Sequence, residues 1–259
     1  MSPITQETFA WPFRDLDWKY KFLVGSLLAL AVWIPLVGLL GYAVLYGYGL
    51  IVMRAAMRGE ASTLPKWEKI GEMFVDGFKG ALSAIGYVLP GMLAMAVAYI
   101  ALFAINFLSV FSTAMRESAG RVPPSDTFAS MGIGYLVFFP LLFIAMILSF
   151  VGTAFTPVAV GQYARTGQIS SGYRFREVWA ILRANAGGYF LAWVLFFGLS
   201  MALSFAVSML YYTIILCCLI PFAMAPVSLY ITILWPTLFG PAYREGWGKV
   251  EKTPSAQSA

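Results

Sequence analysis

Thr156-Pro157-Val158-Ala159-Val160-Gly161-Gln162-Tyr163-Ala164-Arg165-Thr166-Gly167 and Trp235-Pro236-Thr237-Leu238-Phe239-Gly240-Pro241-Ala242-Tyr243-Arg244-Glu245-Gly246 share the spacing P-x-x-x-G-x-x-x-R-x-G, and each closes a long run without charge. Proline loosens a final turn, and glycine four residues on leaves room for a neighbouring backbone. Arginine beside a second glycine marks the headgroup level and the helix stop. Pro157, Gly161, Arg165 and Gly167, and likewise Pro236, Gly240, Arg244 and Gly246, therefore read as the exit ends of two membrane helices. A partial third copy, Met53-Arg54-Ala55-Ala56-Met57-Arg58-Gly59, follows the first apolar run. Repetition of one exit signal implies repeated hairpins.

Hydrophobic residues make up 60% of the 259, charged residues 11% and aromatic residues 17%, with a mean hydropathy of +0.78. A water-soluble domain of this length could not cover so much apolar surface. The expected fold is an all-α integral membrane protein of about six kinked transmembrane helices, in three hairpin-like units with two amphipathic interfacial helices. The formal charge of +5 does not point to nucleic acid, because the basic residues border apolar runs instead of forming one tract. Membrane lipid, in particular anionic lipid, is the expected partner, together with other membrane protein subunits. Cys217 and Cys218 are adjacent and the chain has no histidine, so no structural disulfide, no metal and no other cofactor is expected.

Residues 1–21 carry Glu7, Arg14, Asp15, Asp17, Lys19 and Lys21 among Phe9, Trp11, Phe13, Trp18 and Tyr20. They lack the pattern of a secretory signal and read as a retained interfacial arm or as a solvated tail. Residues 22–58 begin with a charge-free run that would overshoot a ~30 Å hydrocarbon core as one straight helix. A break near Pro35 gives a first hairpin, and one long kinked helix is the alternative. In 59–79, Trp67, Ile70, Phe74 and Phe78 recur at helical spacing opposite Glu68, Glu72 and Asp76, which describes a surface helix with a solvated, ion-paired acidic face. The second hairpin, 80–167, encloses a polar external loop at 116–130. Residues 168–183 form another surface helix, made basic by Arg174, Arg176 and Arg183, which are the expected lipid headgroup contacts. The third hairpin occupies 184–246 with its turn at Ile220 to Pro226, and 247–259 reads as a disordered tail.

None of the expected spans carries Asp, Glu, Lys, Arg or His in its apolar run, which argues against a proton relay or a voltage sensor. Asn106, Thr153, Thr156 and Gln162 are the polar intramembrane positions of interest. They read as helix-to-helix hydrogen bonds or, on broken helices, as a site for a neutral solute or sodium. No G-x-S-x-G, H-E-x-x-H or glycine-rich phosphate loop occurs, and a surface reaction drawing on Asp76, Glu72 and Arg176 is the remaining enzymatic reading.

Leu64-Pro65-Lys66-Trp67, Met73-Phe74-Val75-Asp76-Gly77-Phe78-Lys79, Tyr87-Val88-Leu89-Pro90 and Tyr173-Arg174-Phe175-Arg176-Glu177-Val178, with Asn185 to Tyr189, carry a resemblance. Over most of its length, from near Asp15 to near Arg244, the chain resembles an uncharacterised family of prokaryotic multi-pass membrane proteins, domain of unknown function 4013. It is more distantly similar to the membrane domains attached to some glycerophosphodiester phosphodiesterases, without their soluble catalytic domain. The resemblance implies a prokaryotic membrane location and a multi-helix fold, and it assigns no catalytic residue.

The expected function is that of a non-enzymatic integral membrane scaffold or accessory subunit of a larger complex, in contact with lipid. The alternative is a carrier or channel for a neutral or lipid-like solute. Placing both termini and both amphipathic segments on one side puts every lysine and arginine there except Arg116 and Arg121. That side is expected to be the cytoplasm of a prokaryotic cytoplasmic membrane. In a chain whose own cysteines are replaced by serine, single cysteines at Ser118 and Ser171 are expected to react with an impermeant maleimide from opposite faces of intact vesicles. Equal labelling from one face would rule out the six-crossing arrangement.

Overall fold

In the computed structural model, residues 6–32, 34, 37–60, 63–118, 125–209 and 218–252 are described, and every regular element among them is helical. In chain order these are α1 (Gln6–Ala10), a 3-10 turn (Trp11–Arg14), α2 (Trp18–Ala31), α3 (Val37–Arg58), α4 (Ile70–Glu117), α5 (Ser125–Thr166), α6 (Ile169–Gly172), α7 (Phe175–Ala184), α8 (Ala186–Ser208) and α9 (Ile220–Glu251). Five of them, α3, α4, α5, α8 and α9, are long and apolar enough to cross a membrane. The protein is a multi-pass membrane protein whose regular structure, among the described residues, is all helical. At 14 residues, α2 measures about 21 Å, short of the ~30 Å core, and this is why five helices, not six, meet the length requirement.

Several boundaries differ from those expected. The surface segment ending at Lys79 and the apolar segment starting at Gly80 are one continuous helix, α4, with Pro90 inside it. The change from charged to apolar residues there is a change of solvent, not a break in the backbone. The polar loop shortens from both sides, because α4 continues to Glu117 and α5 begins at Ser125; residues 119–124 lie outside the described residues, as does Pro35. The basic segment divides into α6 and α7. The expected turn from Ile220 to Pro226 is instead the start of α9, with Pro221 in the first turn, where its missing N–H costs nothing. The tail is helical as far as Glu251, supported by an ion pair of Lys249 with Glu245 one turn back at 3.0 Å.

The chain divides into two compact units, residues 1–84 with 157–259, and residues 85–156. In the first, α9 is the central post, packing against α1, α2, α3, α7 and α8. Phe22, Val44, Tyr48, Leu64, Leu229 and Ile233 form its main core. Helices α3 and α4 touch backbone to backbone: a Cβ on Gly47 would run into the Met73 carbonyl, and one on Gly77 into the Ala43 carbonyl. In the second unit, α4 and α5 are antiparallel along a seam of small residues. Gly91 lies against Ser149 and Gly152 against the Tyr87 carbonyl, Ala98 and Ala145 are fully buried, and Tyr87 stacks on Phe155 at 5.6 Å. The outer faces of this unit are apolar and exposed, with Ile100, Phe103, Leu136 and Phe150 each at least 67% accessible. Such faces suit hydrocarbon, not water.

The N-terminal arm is docked and not a free tail. The Asp15 carboxylate accepts hydrogen bonds from Lys21 Nζ at 2.7 Å and from the Leu64 amide at 2.9 Å, and Lys21 also donates to the Leu64 carbonyl at 2.8 Å. Trp67, stacked on Tyr48 at 4.2 Å, donates its indole N–H to the Lys21 carbonyl at 3.0 Å. Trp11 is buried, and Tyr230 of α9 donates to the Phe9 carbonyl at 3.2 Å. Burial works against the charge on Asp15, but Lys21 and the amides of Asp17 and Leu64 outweigh it and hold the carboxyl below the usual range. A lowered folded-state pKa means that this stabilisation is complete above the ordinary aspartate value of about 3.9 and is lost as pH falls through the lowered one. Corrected for intrinsic chemistry, amide exchange over residues 9–21 is expected to be slow from about pH 7 to 5 and to accelerate below about pH 4. In Asp15→Asn it should already be fast at neutral pH, and unchanged protection there would overturn the tether.

Candidate functional site

The last turns of α3 and α5 and the C-terminal third of α9 carry two polar clusters. The first joins α3, α4 and α5. Arg54 forks onto Asp76, NH1 to Oδ2 at 2.5 Å and NH2 to Oδ1 at 3.1 Å, and its Nε donates to the Ala164 carbonyl at 3.0 Å. Tyr163, 1% exposed, donates its hydroxyl to the same Asp76 carboxylate at 2.5 Å. The geometry uses the planar guanidinium twice, as a two-pronged partner for a carboxylate and as a cap on one of the unpaired carbonyls that end α5. Arg54 and Asp76 are about three-quarters buried, so solvent weakens the pair only partly.

The second cluster joins α5, α7 and α9. Gln162 is fully buried; its Oε1 accepts from the Tyr243 hydroxyl at 3.1 Å and from Arg165 NH2 at 3.2 Å, and its Nε2 donates to Glu177 at 3.3 Å. Arg165 Nε donates to the Tyr243 oxygen at 3.2 Å, and its guanidinium lies 3.6 Å from the centre of the Trp247 ring. Glu177 also pairs with Arg174 at 3.2 Å.

The two full copies of the repeated motif meet each other here. A Cβ on Gly161 would run into the Tyr243 ring, so the glycine of one copy makes room for the tyrosine of the other. Gly240 performs the same service toward α3, where a Cβ would lie 2.9 Å from that of Ala56 and 3.2 Å from the Met53 carbonyl. Gly59 and Gly167 adopt left-handed φ values of 80° and 70° and end α3 and α5. Gly246 does not end its helix: α9 continues past it, and its missing Cβ allows close approach to the Ile181 carbonyl. Pro157 and Pro236 lie within α5 and α9, and Arg244 is exposed.

The four polar intramembrane positions do not assemble. Asn106 donates to the Leu102 carbonyl at 2.8 Å, Thr153 to the Ser149 carbonyl, and Thr156 to the Gly152 carbonyl at 3.2 Å, each within its own helix. Gln162 alone joins a cluster. Arg174, just before α7, and Arg176 and Arg183 on it are exposed, while Val178 and Ile181 face inward at 0% exposure. Phe175 and Trp179 of the same helix are 57% and 47% exposed beside the arginines. Glu72 pairs with Lys69 on the surface, and no hydrogen bond or ion pair among the described residues joins Arg176 to Glu72 or Asp76. Sequence reasoning did not foresee Arg54, Tyr163, Glu177 or Tyr243 as partners. Their only local signal was polarity at the ends of apolar runs.

A cleft of about 760 Å³ opens beside the first cluster, lined by Lys66, Lys69, Lys79, Glu68, Glu72 and Asp76 among others. Most of its acids and bases are paired, Lys66 with Glu68 at 3.5 Å, Lys69 with Glu72 at 3.0 Å and Asp76 with Arg54. Among the described residues, no group of three or more acidic, histidine or cysteine side chains is placed to hold a metal. The acceptors in the clusters are occupied, Asp76 by Arg54 and Tyr163, and Gln162 Oε1 by Tyr243 and Arg165. These bonds fasten α3, α4, α5, α7 and α9 to one another.

Residues 27–212 match the family described as Protein of unknown function (DUF4013). This is well over half of the chain, which therefore belongs to that family. No curated protein and no solved structure matches it.

Replacing Asp76 by Asn removes the charge that holds Arg54 and Tyr163 together and is expected to destabilise the detergent-solubilised protein by about 2 kcal/mol. Glu72→Gln, on the same helix but exposed, should stay within about 0.5 kcal/mol. Thermal unfolding of the two variants side by side checks this; equal melting temperatures would return Asp76 to the solvated face expected from sequence.

Proposed function

We propose that this DUF4013 protein is a non-enzymatic scaffold or accessory subunit in a prokaryotic cytoplasmic membrane, both termini cytoplasmic, which contacts lipid and a membrane-spanning helix of another protein. The observation that carries this reading is where its polar groups are spent. Asn106, Thr153, Thr156, Thr232 and Thr237 all bond to carbonyls one turn back in their own helices, a use that stabilises helices in lipid and presents nothing to a solute. Arg54, Asp76, Arg165 and Glu177 fasten helix ends to neighbouring helices. In the most apolar windows of α4, α5 and α8 only 11%, 17% and 6% of residues are buried, against 61% in α3. Helices with that much free apolar flank have room for a neighbour beyond lipid alone.

A carrier for a neutral or lipid-like solute is the second reading, and one observation favours it. The Tyr189 hydroxyl, Trp193 Nε1 and the Ser200 hydroxyl, all on α8, are buried without a hydrogen-bond partner, and buried donors of this kind call for an acceptor. Three such groups on one helix form a short ladder of donors, about 17 Å from end to end at the helical rise.

Gentle solubilisation of the tagged protein from native membranes separates the two. A stoichiometric membrane protein that co-purifies reproducibly is expected, and it should be lost on carving bulky polar residues into the exposed face of α8, as in Phe190→Asn with Met201→Asn. Isolation of the protein alone, in complex with one defined small molecule, would overturn the scaffold in favour of the carrier.

A further inference from the structure

We propose that the recess between the C-terminal end of α3, the start of α8 and the last turns of α9 binds a phosphate-bearing anion, such as the headgroup of an anionic phospholipid. The recess has a volume of about 580 Å³, ample for a glycerophosphate group. Its walls change character along α9. Leu238, Pro241 and Ala242 form an apolar portion, and Arg244, Lys249 and Lys252 follow one to three turns later toward the end of the helix.

Charge accounting gives the sign. Lys249 is paired with Glu245 at 3.0 Å, so these two cancel. Neither Arg244 nor Lys252 has a carboxylate partner among the described residues, and both are exposed. The recess is left with two uncompensated cations, one of them a guanidinium whose fork matches phosphate oxygens. The glycine at the end of α3 contributes to this arrangement, because a side chain at Gly59 would start 3.2 Å from Arg244 NH1 and crowd it. At the start of α8, Gly188 lines the recess beside Asn185, whose amide donates to the Ala242 carbonyl at 3.0 Å and whose Oδ1 accepts from Lys249 at 3.4 Å.

Two features separate this recess from the other basic surface. On α7 the arginines project from the convex side of a short helix, suited to general attraction to an anionic surface. Here cations cap a concave wall whose other part is apolar, the order in which a phospholipid presents phosphate, glycerol and acyl carbons. A lipid headgroup and a soluble phosphate ester share the anion, and they differ in whether the apolar wall contributes. The inference rests on the membrane location proposed above and not on any protein partner, so its failure would leave co-purification of a subunit untouched.

The test is native mass spectrometry of the purified full chain, titrated separately with phosphatidylglycerol, phosphatidylcholine and glycerol 3-phosphate. One phosphatidylglycerol per protein is expected to be held in preference to phosphatidylcholine, and Arg244→Gln with Lys252→Gln should weaken it by about tenfold or more. Arg176→Gln with Arg183→Gln, on α7, should leave that tight site intact. Glycerol 3-phosphate binding as tightly as the lipid, with the same sensitivity to Arg244 and Lys252, would uphold the anion site and identify its source as soluble. Equal retention of the two phospholipids with no glycerol phosphate bound, or wild-type binding in the Arg244/Lys252 variant, would overturn it. Lys252→Glu alone, at an exposed position near the end of the last helix, reverses one charge and decides the matter should the double variant not fold.

Discussion

Helix packing in this protein depends on how closely backbones can approach where side chains gain little from association. Lipid tails are as apolar as leucine, so apolar side chains are not driven together in a bilayer as they are in water. At Gly47 and Gly77 the chain removes side chains altogether, and α3 and α4 meet at their main chains. That contact sets the stage for the charged cluster nearby. With the helices so close, Asp76, the residue before Gly77, lies within bonding distance of Arg54, two turns beyond Gly47. A wider crossing would leave both charges partly dehydrated and unpaired, a costly state.

The same logic links the two copies of the repeated motif. Gly161 is vacant space on α5, and Tyr243 is the ring that fills it; the phenol oxygen is then met by Arg165 and Gln162. The copies are alike in sequence and unlike in role. One provides the groove and the other the ring, and the rest of each motif is used differently as well. Gly167 ends a helix, and Gly246 lets a helix that continues press against α7.

Legibility in the sequence followed the range of the interaction. The membrane class, the helical content and the stops at Gly59 and Gly167 are consequences of neighbouring residues, and composition and spacing are enough to read them. The boundary at Lys79 misled because a switch from charged to apolar residues signals where water ends, and a helix can pass through that level unbroken. Ile220 to Pro226 misled for a related reason: proline is compatible with a helix in its first turn, so a proline-rich stretch can open α9 as well as turn the chain. The partners of Asp76 were out of reach. Arg54 is 22 residues away and Tyr163 is 87, and only the fold makes them neighbours, so local amphipathicity put Asp76 on the same footing as the exposed Glu72. The three arginines of α7 were legible as exposed, whereas the sidedness of Phe175 and Trp179 depends on which face of α7 the rest of the unit covers.

The hydrogen bond from Tyr230 to the Phe9 carbonyl joins two segments 221 residues apart in the sequence. The arm leaves the ribosome well before α9, the last long helix among the described residues. Until α9 has been inserted, Trp11 has no complete pocket, and the central post on which α2, α3, α7 and α8 converge is missing. Assembly of this unit therefore waits on α9, whatever order the earlier helices enter the bilayer. A chain stalled or cleaved before residue 220 would hold its membrane helices without the element that gathers them, a natural substrate for membrane quality control.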